Sequence, residues 1–162
     1  MENINFKSER ISKTAVIIIN KKITVVFPLF GAFEERKWSA GWSPVLIYPD
    51  TEIIEEGTVF KTEEHGHGEN EFLWLVTKFQ PEINLIQYLV STPNRFWTIT
   101  VKCSPFEENK TKAEITYSFT GLNDAGNEIN RHSLERMYSH NLKDWEEELN
   151  YFLENGIMLH HK

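Results

Sequence analysis

Asn127 to Asn155 reads NEINRHSLERMYSHNLKDWEEELNYFLEN, and the spacing of its apolar side chains decides what kind of domain surrounds it. Leu134, Met137, Tyr138, Asn141, Leu142, Trp145, Leu149 and Phe152 recur at steps of three and four, the period of one helix face, while Glu135, Lys143, Asp144, Glu146 and Glu147 fall largely elsewhere. Asn127 can cap the first turn with Glu128 just inside it, and Gly156 supplies a stop. The spacing predicts one long amphipathic helix whose apolar stripe must be buried against another layer.

The rest of the chain supplies that layer. Asn5 to Ile19 reads as a first strand with the β-branched run Val16-Ile17-Ile18-Ile19. Asn20 to Phe30 fits a short helix ending near Gly31, although Thr24-Val25-Val26-Phe27 alone would suit a strand; Ala32 to Trp38 reads as a second helical turn. Six strands follow, at Val45–Tyr48, Thr58–Thr62, Phe72–Phe79, Leu85–Ser91, Arg95–Ser104 and Lys112–Thr120, separated by turn residues such as Pro49-Asp50, Pro81-Glu82 and Thr92-Pro93-Asn94. In Arg95–Ser104, Trp97, Ile99, Val101 and Cys103 alternate with Phe96, Thr98, Thr100 and Lys102; Ile115, Tyr117 and Phe119 repeat the pattern on the next strand. One face is dry and one wet, so the expectation is an α+β domain in which the helix covers one side of an antiparallel sheet. A curved sheet cannot follow a helix of about 10–12 Å diameter along its whole length, so space is expected between them.

Composition narrows the partners. A chain of 162 residues with 24 acidic and 17 basic side chains, net charge −7, is expected to be one domain that does not bind nucleic acid, because phosphate contacts need a local excess of Lys and Arg. The one cysteine, Cys103, has no internal disulfide partner, and no apolar run is long enough to span a bilayer, so a soluble cytoplasmic protein without membrane insertion is expected. Oligomeric state is not legible.

The order of elements, with Glu35-x-x-Trp38-x-x-Gly41-Trp42, Trp74-Leu75-Val76-Thr77 and Thr116-Tyr117-Ser118-Phe119-Thr120-Gly121-Leu122, resembles the START-type or SRPBCC superfamily. This is the group of birch-pollen allergens, polyketide cyclases and Hsp90-ATPase activator domains. The resemblance implies a helix-grip fold: about seven antiparallel strands wrapped around a long C-terminal helix, with two short helices after the first strand. It also implies a largely apolar cavity that takes lipids, steroids or polyketides, and no universal catalytic residues.

Aromatic side chains make up 13% of the chain, with five Trp and eleven Phe, and such surfaces serve both cores and pockets. The candidate ligand-binding residues are Trp38, Trp42, Trp74, Tyr88, Trp97, Tyr117, Leu134, Met137, Tyr138 and Asn141. Trp38 and Trp42 either plug the junction with the short helices or line the cavity mouth. Asn141 is an amide within an apolar stripe that must bond a neighbour, a water or a ligand. His140 beside it is a weak acid–base candidate, and Arg95, at a strand start, could pair with a ligand carboxylate but reads more commonly as an exposed edge residue. His65-Gly66-His67-Gly68-Glu69 carries two imidazoles and a carboxylate but no anchored geometry, so no metal is expected, and no motif calls for a cofactor. Cys103 has no activating partner in sequence. A hydrophobic small-molecule binder is the first expectation. A cyclase or dehydratase-like enzyme and an Hsp90-activator-like interaction module, the latter using the acidic run Asp144–Glu148, are the alternatives.

Overall fold

Strand β6, Arg95–Phe106, is the axis of the sheet, because its two-residue alternation is the strongest in the chain: Arg95, Trp97, Ile99, Val101 and Cys103 are all buried and the residues between them are not. The computed structural model describes residues 5–63 and 69–161. Around β6 stand β1 (Arg10–Ile19), β2 (Val45–Tyr48), β3 (Val59–Glu63), β4 (Glu71–Gln80), β5 (Leu85–Ser91) and β7 (Lys110–Gly121). They form one seven-stranded sheet in the order β1-β7-β6-β5-β4-β3-β2, with antiparallel pairing throughout. Register sets Ile99 opposite Tyr88 on β5 and Tyr117 on β7, so the inward row of one strand continues across the next. The outward face is polar: Ser12 bonds Ser118 and Thr14 bonds Thr116 across β1 and β7.

After β1 come a one-turn helix α1 (Ile23–Val26) and two 3-10 turns, Phe27–Phe30 and Glu34–Lys37, as the sequence predicts. Two indoles fasten them. Trp38 donates from Nε1 to the Leu29 carbonyl at 2.8 Å and Trp42 to the Ala32 carbonyl at 2.6 Å.

The C-terminal helix differs from expectation in two respects. It runs as two segments, α2 (Asp124–Tyr138) and α3 (Lys143–Asn155), linked through Asn141 and Leu142, both left-handed at φ 51° and 57°. Asn tolerates that conformation, but Leu does so at a cost, and burial of Leu142 in the core offsets it. The helix also begins earlier than predicted: Asn123 is the cap, accepting from the Gly126 N–H at 2.8 Å. Asn127 is buried and ties helix to strand, its carbonyl oxygen accepting from the Glu9 N–H and its amide donating to the Lys7 carbonyl.

These contacts require α2 to begin hard against the sheet end. A Cβ on Gly126 would lie 1.8 Å from the Asn94 carbonyl oxygen, and one on Gly121 would lie 1.9 Å from the Asn127 side-chain oxygen. α3 instead covers the free edge of β1. The Glu146 carboxylate accepts from the Ile18 N–H at 2.8 Å, and the Asn150 amide pairs with the Asn20 N–H and the Ile18 carbonyl. Leu149, fully buried between helix and sheet, stabilises this seat by roughly 1.5–3 kcal/mol. Gly156, left-handed at φ 73°, ends the helix as its sequence suggests. Among the described residues no helix is long and apolar enough to cross a membrane.

Candidate functional site

Between the inner face of the sheet and the two helices lies a cavity of about 420 Å³. Its wall is built from the inward rows of β4 to β7, from Phe30 and Trp42 on the small-helix side, and from Met137 and Trp145 on α2 and α3. Of the candidate residues, Trp42, Trp74, Tyr88, Trp97, Tyr117 and Met137 line it. The rings of the wall fall into two networks: in one, Trp42 meets Trp74 edge-on at 5.2 Å and Trp74 meets Tyr88 at 5.7 Å and stacks on Phe60 at 5.3 Å; in the other, Tyr117 meets Trp145 at 6.3 Å. Such pairs hold the rings in fixed orientations, so the aromatic part of the wall is rigid.

Four candidates lie off the wall. Trp38 is fully buried and packs edge-on against Trp145, a plug at the junction. Leu134 is core. Tyr138 is buried with its hydroxyl donating to the Ile115 carbonyl and accepting from the Tyr117 N–H, so its polar end is spent on the sheet. Asn141 is corrected outright: it sits in the left-handed link and is exposed, because the break between α2 and α3 turns it out of the stripe, and His140 is exposed beside it. Cys103 is buried, and burial pushes its thiol up to about 12, so it is no nucleophile. The tract His65-Gly66-His67-Gly68 lies outside the described residues.

Two polar centres appear in the wall that sequence reasoning misplaced. Arg95, expected at an exposed edge, is buried at the start of β6. Its guanidinium pairs with Glu69 at 2.8 Å, donates to Asn130 and Ser133 on α2, and lies over the Trp97 ring at 4.6 Å. Glu69 also accepts from the Thr92 hydroxyl, and next to this network the Asn130 amide nitrogen is buried without a partner among the described residues. Arg136, Ser133 and Glu63 join Arg95 in lining the cavity.

The second centre is Glu35, which had been read only as part of a fold signature. Glu35 is half-buried and lines the cavity, and no side-chain hydrogen bond or ion pair engages its carboxyl among the described residues. The protein around it, and secondarily the Glu148 carboxylate on α3, push its pKa up to about 8. Burial, then the Glu35 charge, drives the pKa values of Tyr88 and Tyr117 well above the ordinary phenol value, so all three groups share one electrostatic environment. The Tyr88 hydroxyl is committed to the Phe30 carbonyl at 2.8 Å. The Tyr117 hydroxyl has no partner among the described residues. The cavity wall thus holds a guanidinium already paired with Glu69 and a carboxyl without a hydrogen bond among the described residues.

No family model matches the sequence, and no curated protein does. Solved structures match along nearly the whole chain. Norcoclaurine synthase from Thalictrum flavum, solved with dopamine and hydroxybenzaldehyde, is similar with a TM-score of 0.68 at 9% identity over 91% of this chain and 89% of that one. The Zhui aromatase/cyclase from a Streptomyces species is similar with a TM-score of 0.68 at 11% identity, covering 94% of this chain and all (100%) of its own. Ara h 8.0201 is similar with a TM-score of 0.65 at 13% identity, over 92% of this chain and 100% of that one. At these identities the likeness concerns the backbone and carries no residue roles. The seven-stranded antiparallel sheet, the two short helices after β1 and the C-terminal helix packed in its curve give this chain a helix-grip fold, the fold of these similar structures.

Proposed function

We propose that the protein binds a small, mostly apolar molecule with aromatic character in the cavity between sheet and helices. The observation that carries this reading is the cavity itself: about 420 Å³, within the usual range for small-molecule sites, walled by Trp42, Trp74, Tyr88, Trp97 and Tyr117 with a few polar groups among them. Rigid rings give the ligand contact area without side-chain ordering cost, and the polar groups give it an orientation. The similar proteins include one solved with two small aromatic molecules and an aromatase/cyclase, which supports the same use of the fold. Native mass spectrometry of freshly purified protein tests it. A co-purifying mass of a few hundred daltons, released on denaturation, is the expected result; only apoprotein, with no uptake of added aromatic ligands, would contradict it.

One observation favours a second reading, proton transfer on a bound substrate. Glu35 has a pKa of about 8, close to neutral pH, and faces a cavity whose Tyr117 hydroxyl is uncommitted. Of the acid–base candidates read from sequence, His140 and Asn141 with Tyr88 or Tyr117, the first two are exposed and the two tyrosines line the cavity.

A further inference from the structure

Asn130 on α2 is 1% exposed, and its amide can meet Arg95 in only one way. A guanidinium donates and never accepts, so the Asn130 oxygen takes the bond from Arg95 Nη1 at 3.3 Å and the amide nitrogen is turned from it. That nitrogen is buried with no acceptor among the described residues. Ser133, one turn further along α2, repeats the arrangement. Its oxygen accepts from the same Nη1 at 3.1 Å, and its own O–H meets no acceptor among the described residues. The carboxylate beside them is committed elsewhere: Glu69 Oε1 accepts from Arg95 Nε at 2.9 Å and pairs with Nη2 at 2.8 Å, and Oε2 accepts from the Thr92 hydroxyl. The cluster therefore has donors to spare and its acceptors spent, and a buried donor left unpaired is costly.

We propose that Asn130 and Ser133, held in place by Arg95, form a subsite for a neutral acceptor oxygen of the ligand, a carbonyl carried on an aromatic body; this rests on the ligand-binding reading above and names the polar group of that ligand. Arg95 and Ser133 both line the cavity, and the guanidinium lies over the Trp97 ring of the same wall at 4.6 Å, so the donors stand beside an aromatic surface. The oxygen is neutral because the Arg95 charge is already matched by Glu69, and a carboxylate brought here would face that buried carboxylate. The other charged lining residues, Glu35, Glu63 and Arg136, add no positive excess, and the formal charge of −7 opposes the approach of anions. A carbonyl suits the site better than a hydroxyl, whose proton would need an acceptor of its own.

Isothermal titration calorimetry of the full chain with acetophenone, ethylbenzene and benzoate tests this, because the three share one ring and differ in the group offered to the subsite. A wall without spare donors favours the hydrocarbon, since a carbonyl leaves its water bonds unreplaced there. The expected result is that the ketone binds at least as tightly as the hydrocarbon and more tightly than the carboxylate. Asn130→Asp keeps the oxygen that Arg95 meets and exchanges the donor for an acceptor; Ser133→Ala removes the hydroxyl proton. Each is expected to lower the ketone-to-hydrocarbon affinity ratio by about fivefold or more. The ratio is taken within one protein, so a general change in the cavity cancels, and Ser133→Ala decides alone if Asn130→Asp does not fold. Preference for ethylbenzene or benzoate in wild type, or a ratio that survives in a folded variant, overturns the subsite and leaves the ligand-binding reading standing. Failure of all three probes to bind overturns the subsite as well, and if native mass spectrometry also finds no ligand, the ligand-binding reading falls with it.

Discussion

Arg95→Ala lowers the free energy of unfolding by about 3–5 kcal/mol, one of the largest losses available from a single side chain outside the apolar core. The reason lies in what is left behind. Glu69 has 4% of its side chain exposed, and without the guanidinium at 2.8 Å its carboxylate is a buried charge whose remaining partner is the Thr92 hydroxyl. Asn130 and Ser133 lose the donor that fixes the second half of α2 to the sheet, and Trp97 loses the cation over its face. Much of that loss is the penalty of an orphaned charge, so the double replacement Arg95→Met with Glu69→Leu costs far less than Arg95→Ala alone. Urea unfolding of the single and double variants measures both. A loss below 1 kcal/mol in the single variant would mean that the pair is solvated and plays no part in holding α2.

Glu35→Gln stabilises the protein, and does so increasingly as pH rises. In the folded chain Glu35 keeps its proton to about pH 8, whereas the unfolded carboxyl releases it near 4.5. Between those values the native state binds one proton more than the unfolded state, so wild-type stability falls with rising pH, by up to about 1.4 kcal/mol per unit, and levels above the folded pKa. Glutamine has no such titration. Its advantage over wild type therefore grows by up to about 4 kcal/mol from pH 4.5 to 8, with a residual slope from Glu148, whose pKa burial also raises. Urea unfolding at pH 5 and pH 8 decides it: an equal difference between the two proteins at both values would mean that Glu35 is an ordinary solvated carboxylate.

What could be read in the sequence follows from the range of each interaction. A strand's two-residue period is visible within one segment, so it places Trp97, Ile99, Val101 and Cys103 on the inner face, and Tyr117 and Phe119 in the same way. The break between α2 and α3 was hidden because Tyr138, Leu142, Trp145 and Leu149 keep helical spacing across it; only the left-handed backbone at Asn141 and Leu142 reveals that the axis changes there. Arg95 looked like an edge residue because its partner Glu69 lies on the far side of β4 and β5 in sequence. Glu35 sits in the charged run Glu34-Glu35-Arg36-Lys37, which reads as a solvated turn; that Glu34 pairs with Lys37 while Glu35 faces inward follows only once the turn is laid against α3 and the sheet. Trp42 anchors the turn through its Nε1 and lines the cavity.

The central claim is that the space between sheet and helices is a working ligand site. Titration with the fluorescent dye ANS, in wild type and in Ile99→Trp, tests it most directly, because Ile99 sits in the cavity wall between Tyr88 and Tyr117 and a larger ring there fills the space from within. The account predicts saturable one-to-one binding at micromolar concentration in wild type and a loss of tenfold or more in the variant, with both proteins folded by near-ultraviolet circular dichroism. Equal binding in the two proteins, or none in either, would contradict it.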